Sequence, residues 1–232
     1  GKPDFVRRTI ACAERFGIAH EVLDAAGIRA RFPQFQLQGD EIGYHEREAG
    51  FVRPEAAIEA QLAVARASGA QVRTGEKVLA VEPVGNGDTV RVRTETASFE
   101  AGRVVVAAGA WLPEFLGRQA RADWQRDFSV HRQVMHWFDT GAAAADFAPG
   151  RFPVFIWMFG DGPEDYMYGF PSSDPAQPAL KVATEQYVEA TTPDDIDRSV
   201  RPEESAAMFR ERVAGRFPRI EGRALKARAC MY

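Results

Sequence analysis

The sequence predicts a mixed α/β fold (α+β mixed) made of two kinds of segment. Three observations carry this. An amphipathic helix pattern opens at Pro54, a strand–turn–strand pattern follows it, and "RVVVAAGAW" then gives a short apolar run without polar alternation. Such a run suits a strand covered on both faces, as in a parallel sheet. Beyond Trp124 the pattern changes to aromatic-rich strand segments separated by proline and glycine, which reads as a mixed or antiparallel sheet.

Taken in order, Phe5, Thr9, Cys12 and Phe16 recur on one helical face, and Gly17 follows where a helix commonly ends. Asp24 can cap a second, short helix that must stop before Pro33. "DEIGYHEREAGFV" reads as extended. Pro54 opens the clearest helix, with Ile58, Leu62 and Ala65 on one face and Gly69 behind it. "QVRT" and "KVLAVEP" read as strands, "GNGD" as a turn and "TVRVRT" as a half-exposed antiparallel strand. Residues 104–108 then form the buried strand, ending at Gly109. The later strands are "HRQVMHWFD", "FPVFIWMFG", "DYMYGFP" and "PALKVATEQY". Pro202 opens a last helix with Ala206, Phe209, Val213 and Phe217 on one face, and "ARACMY" is strand-like.

Bulk properties narrow the function classes. A chain of 232 residues is long enough for one large domain or two modest ones. A net charge of −4 offers no basic patch for nucleic acid or an anionic membrane, and no apolar run approaches the roughly 20 residues of a membrane span. The two cysteines, Cys12 and Cys230, lie far apart and outside any CxxC, which fits a reducing cytoplasm. The four histidines, His20, His45, His131 and His136, have no metal-ligand spacing and read as surface or satisfied core.

Several stretches, in order, resemble the monomeric sarcosine oxidase and N-methyltryptophan oxidase family of FAD-dependent amine oxidases. They are "HEVLDAAGIRARFPQF", "EAGFVRPEAAIEAQLAVARASGAQV", "EKVLAVEP", "VVVAAGAWLPEFLG", "YMYGFP", "LKVATEQY" and "ACMY". The resemblance implies a partial FAD-binding α/β domain at 47–123, interleaved with a mixed or antiparallel-sheet substrate domain at 1–46 and 124–232. One departure is large. The G-x-G-x-x-G turn that places backbone amides on a dinucleotide pyrophosphate is missing: "GNGD" lacks the third glycine and "GDGP" ends in proline. The expectation is an internal piece of a longer enzyme, inactive alone and without FAD on its own, which self-associates through surface left uncovered.

The same resemblance assigns roles. Lys181 is expected beside the flavin, where its charge assists the reaction with oxygen. The extended reading of "PALKVATEQY" puts it with Ala179, Ala183 and Glu185, opposite Leu180, Val182 and Thr184, so that small neighbours leave room for a ligand. Tyr168 matches a tyrosine of the substrate pocket, and Tyr166 shares its face. Glu185, where some family members carry histidine, is expected to orient a cationic amine or to interact with Lys181 through water. Cys230 matches the cysteine that links the flavin through a thioether. Val78, Gly109, Ala110 and Trp111 are expected as cofactor contacts, and Cys12 as a buried helix residue. Arg132 and Gln133 match a family stretch without an assigned role.

The implied reaction oxidises a secondary or N-methylated amine or amino acid to an imine, and electrons pass to oxygen to give hydrogen peroxide. The expected partners are therefore the small amine and oxygen, with no nucleic acid, membrane or metal. Two alternatives stand beside it: a related FAD-dependent D-amino-acid oxidase or dehydrogenase, and a cofactor-free binding module.

Overall fold

A computed structural model describes residues 3–118, 127–162 and 164–232. The domain boundary predicted at Trp124 lies outside the described residues. In chain order the elements are α1 (Pro3–Phe16), β1 (Glu21–Leu23), α2 (Ala25–Arg31), β2 (Gly43–His45), α3 (Pro54–Ala67), β3 (Val78–Val84), β4 (Thr89–Thr94) and β5 (Ser98–Ala101). They continue with α4 (Leu112–Arg118), β6 (Val130–Asp139), β7 (Phe155–Met158), β8 (Tyr166–Phe170), β9 (Ala179–Ala183), β10 (Ala190–Thr191), α5 (Pro202–Met208) and β11 (Ala224–Met231). The chain divides into two compact units. One holds Gly1–Phe51, Arg132–Glu189 and Asp197–Met231; the other holds Val52–His131, Ala190–Ile196 and Tyr232.

The first unit is built on an antiparallel sheet. β6 lies between β11 and β9, and β8 and β7 follow. One face is the core: Phe138, Met167, Leu180 and Val182 are fully buried there, with Trp157 beside them. The short helix α5 and the π-turn Phe209–Val213 contribute Met208 and Val213 to the same core. Phe35, from the N-terminal segment, packs on Phe152, Phe155, Trp157 and Phe217 at centroid distances of 5.0 to 5.6 Å. Segments distant in sequence thus share one aromatic core, and truncating a ring in such a core costs about 3–5 kcal/mol. Gly169 is required by this packing: a Cβ there would lie 2.5 Å from the Phe155 ring and 2.8 Å from the Lys181 carbonyl oxygen.

Two local expectations hold for simple reasons. The Asp24 carboxylate accepts from the Gly27 amide at 2.7 Å and starts α2. The β3–β4 hairpin turns at residues 85–88, with Gly85 and Gly87 at positive φ.

Others need correction. Residues 104–108 form no strand; Val105 is 91% exposed. A strand exists through its ladder, and the sheet of the second unit is the meander β3–β4–β5, which this run does not join. "QVRT" is not a strand either: Arg73 instead pairs with Glu76, whose carboxylate accepts from Thr94 and Thr96 and fixes the entry into β3. On α1 the inward side is Val6, Thr9, Ile10 and Ala13, one residue out of phase with the predicted face, so Cys12 is exposed. Ala206 is likewise exposed. The π-turn adds about one residue per turn and swings Val213 round onto the Ser205–Met208 side.

His136 behaves as a satisfied core histidine. It stands on the core side of β6, Nδ1 lies 3.0 Å from Ser205 Oγ, and its ring stacks on Phe138. Burial is the main cause that pushes its imidazole down to about 4; the nearby Arg132 acts the same way and Glu204 opposes. The unfolded chain therefore binds a proton between about pH 6.5 and pH 4 that the folded chain refuses. The contribution is complete above the ordinary histidine value and is lost as pH falls through this window, by about 3 kcal/mol in all. Urea midpoints measured near about pH 7 and about pH 4.5 are expected to fall more for the unsubstituted chain than for His136→Gln, which keeps a hydrogen-bonding group but does not titrate. Equal falls would reject this assignment.

Candidate active site

The strands of the first unit alternate, so the sheet has a second face, opposite its core. Residues paired directly across antiparallel strands share a face. One row on this face is Lys226–Trp137–Lys181–Phe170, and the next is Arg228–Met135–Ala183–Tyr168–Ile156. Cys230 stands opposite Gln133, and Tyr166 opposite Met158, one row further along. Most of these side chains are half-buried, while Ile156, Lys226 and Arg228 are exposed. The face is therefore an aromatic and apolar floor that carries cations and one thiol.

Lys181 stands between two rings rather than in a gap left by alanines. Its Nζ is 4.6 Å from the Phe170 centroid and 5.2 Å from the Trp137 centroid. Ala183 is fully buried, with Tyr168 and Met135 as its cross-strand neighbours, so the predicted free space beside it does not exist.

Glu185 lies two residues beyond the end of β9. Its carboxylate accepts from Tyr166 Oη at 3.0 Å and from Tyr187 Oη. Burial first, and then this carboxylate, push the Tyr166 phenol above its ordinary range, so it stays a donor. Tyr168 is half-buried and meets Phe170 edge to face at 6.2 Å. Cys230 is a half-buried free thiol.

Arg132 and Gln133 anchor the first residues of β6, Arg132 from the core side and Gln133 from the opposite side. Arg132 donates to the Asp197 and Ser199 carbonyls at 2.7 and 2.6 Å and to Glu204 at 2.8 Å, which ties the loop before α5 to β6. The buried Gln133 amide exchanges two hydrogen bonds with the Gln186 backbone, at 2.6 and 2.8 Å. It replaces ladder bonds where β9 has ended.

The second unit has its own cleft, of about 340 Å³. Val78, at the start of β3, and Trp111 line it with Lys77, Ala108, Phe115 and Asp194. Gly109 and Ala110 form the single 3-10 turn that positions Trp111. Gly109 takes φ +53, and open space lies where its Cβ would be.

Comparison with known proteins then decides the family. The profile of FAD dependent oxidoreductases matches residues 2–232. The chain belongs to this family. It is 36% identical to a monomeric sarcosine oxidase of Streptomyces avermitilis, over the whole of this chain and 58% of that protein. It is 28% identical to an N-methyl-L-tryptophan oxidase of Shigella sonnei, over 74% of this chain and 43% of that protein. Among solved structures, the open form of NikD, described as an unusual amino acid oxidase, superposes with a TM-score of 0.69 at 20% identity, covering 96% of this chain and 55% of that one. Glycine oxidase from Geobacillus kaustophilus gives 0.68 at 17% identity, over 99% and 55%. The chain spans about half the length of the relatives it matches.

Within this chain the fold brings Lys181, Tyr168 and Cys230 onto one sheet face, with Glu185 bound to Tyr166 at its end. Val78 and Trp111 meet in the separate cleft. Sequence reasoning missed Trp137, Phe170, Tyr187 and Lys226. The relation of Trp137, Phe170 and Lys226 to Lys181 depends on strand register, which no single stretch carries by itself, whereas Tyr187 lies only two residues from Glu185. None of the described helices is long and apolar enough to cross a membrane. Among the described residues no three His, Cys, Asp or Glu side chains are placed to hold a metal.

Proposed function

We propose that this chain supplies the substrate wall and part of the cofactor side of an FAD-dependent oxidase of secondary or N-methylated amines or amino acids, with oxygen as the electron acceptor and hydrogen peroxide as the product. In this reading the 1–46 and 124–232 segments are substrate-side and 47–123 is a partial FAD-binding domain. The observation that carries the proposal is the convergence of Lys181, Tyr168 and Cys230 on one half-exposed sheet face, with the Tyr166-bound Glu185 at its end. The names of the sarcosine and N-methyltryptophan oxidase relatives support the amine class.

The residues fit the ring part of FAD. A flat aromatic system that gains negative charge on reduction suits an apolar floor of Trp137, Phe170, Tyr168 and Met135 bearing a fixed ammonium. FAD supplies the two-electron acceptor that the side chains lack. Lys181 stabilises negative charge developing on oxygen. Glu185, held by Tyr166, orients the ammonium of the substrate. Tyr168 walls the site and keeps water out. Cys230 attaches the cofactor. Val78, Gly109, Ala110 and Trp111 serve its nucleotide side. Two cysteines without a CxxC support a cytoplasmic setting on this reading.

The direct test supplies the flavin-loaded protein with a panel of N-methyl amino acids and secondary amines and measures peroxide. A fully flavin-loaded protein that forms none would reject the proposal. The 232-residue chain by itself is expected to bind FAD weakly, because no G-x-G-x-x-G cradle occurs in it. Calorimetric titration giving sub-micromolar binding would overturn that expectation.

A further inference from the structure

We propose that Trp137 and Phe170 form a two-sided aromatic cage that positions the Lys181 ammonium, and that Trp137 carries Lys226 on the same ring. The inference rests on the functional reading of Lys181 given above, but the cage itself is a matter of geometry. Trp137 on β6 and Phe170 on β8 are the direct cross-strand neighbours of Lys181 on β9. Both centroids lie within the distance at which a cation is held by a ring face: 5.2 and 4.6 Å from Nζ. A lysine on an open sheet face would ordinarily sweep a wide volume on its four-carbon stem. Rings on both flanks restrict that sweep and keep the charge low over the sheet, where a reacting group on this face would meet it.

Lys226 shows that the Trp137 ring is shared. It sits opposite Trp137 on the far side, from β11, and its Nζ lies 4.8 Å from the same centroid. One indole thus spaces two ammoniums along one row of the sheet. Lys226 is exposed, whereas Lys181 is half-buried and has a second ring. Trp137 and Phe170 are positioning residues in this account. They act through Lys181.

The two rings make separable predictions. In the flavin-loaded protein, acylation of lysines by a water-soluble active ester is followed by mass spectrometry at Lys181 and Lys226. A ring that favours the ammonium suppresses the reactive free amine. Trp137→Leu is expected to raise acylation at both lysines, by about two- to fivefold, the effect of losing one half-exposed cation–π partner. Phe170→Leu is expected to raise it at Lys181 alone. Trp137→Phe keeps a ring face and is expected to stay within about twofold of the unsubstituted protein. Phe170→Leu carries the test by itself should Trp137→Leu fail to fold. Unchanged Lys181 acylation in a folded leucine variant would overturn the cage, as would an equal rise in Trp137→Phe and Trp137→Leu. The two readings fail separately. If Lys181→Met leaves flavin reoxidation unchanged while the acylation pattern appears as stated, the cage stands and the oxygen role of Lys181 falls.

Discussion

Replacing Lys181 by methionine in the flavin-loaded protein is expected to slow reoxidation by oxygen by about 10²–10³, the usual cost of removing one fixed charge from a developing anion. Reduction by the amine should change far less, because no anion forms on oxygen in that half of the cycle. Methionine keeps the length and apolar character of the stem, so the row between Trp137 and Phe170 stays filled. The loss is then one of charge and not of packing. On the proposed role the ammonium is already in place: two rings flank it, and its strand is central in the sheet, so little reorganisation is needed as charge appears. Stopped-flow absorbance separates the two half-reactions. Reoxidation at the unsubstituted rate, or equal slowing of both halves, would remove Lys181 from this role.

How far such a site could be read from the sequence depends on what kind of information each part needs. Local chemistry was legible. Asp24 caps α2 by a bond to its own third neighbour, and the paired glycines of "GNGD" set a hairpin. The two-residue period of "PALKVATEQY" split Lys181 from Leu180 and Val182 correctly, because alternation of side-chain direction is a property of the strand itself. What failed was information held elsewhere. An apolar run such as 104–108 becomes a strand only beside a partner, and nothing in the run names one. On α1 the periodicity was real but its phase was off by one residue, since Cys12 and Ala13 are both small and only packing chooses between them. The surroundings of Lys181 were wrong for the same reason. Its same-face neighbours along the strand are alanines, whereas its cross-strand neighbours are Trp137 and Phe170, fixed by register with two other strands. The Tyr166–Glu185–Tyr187 arrangement is a mixed case. Tyr187 is near Glu185 in the chain, but Tyr166 reaches it only because β8 lies beside β9.

Replacing Cys230 by serine is expected to abolish covalent attachment of the flavin altogether. Cys230 belongs to β11 and stands opposite Gln133, on the same sheet face as Lys181, so its thiol borders the floor assigned to the flavin ring. It is half-buried and in no disulfide, which leaves the sulfur available as a nucleophile. Serine preserves size and strand geometry, but a hydroxyl ionises too weakly to take over the bond-forming step. The chain contains its own control. Cys12, the only other cysteine, is exposed on α1, which packs against β2, and Cys12→Ser should change nothing. Acid precipitation reads the result directly. With flavin-loaded proteins, yellow colour should stay with the pellet for the unsubstituted protein and for Cys12→Ser, and pass wholly to the supernatant for Cys230→Ser. If the flavin of the Cys230→Ser protein remains in the pellet, another residue makes the link. If the unsubstituted protein releases all its flavin, Cys230 is only a packing residue of β11.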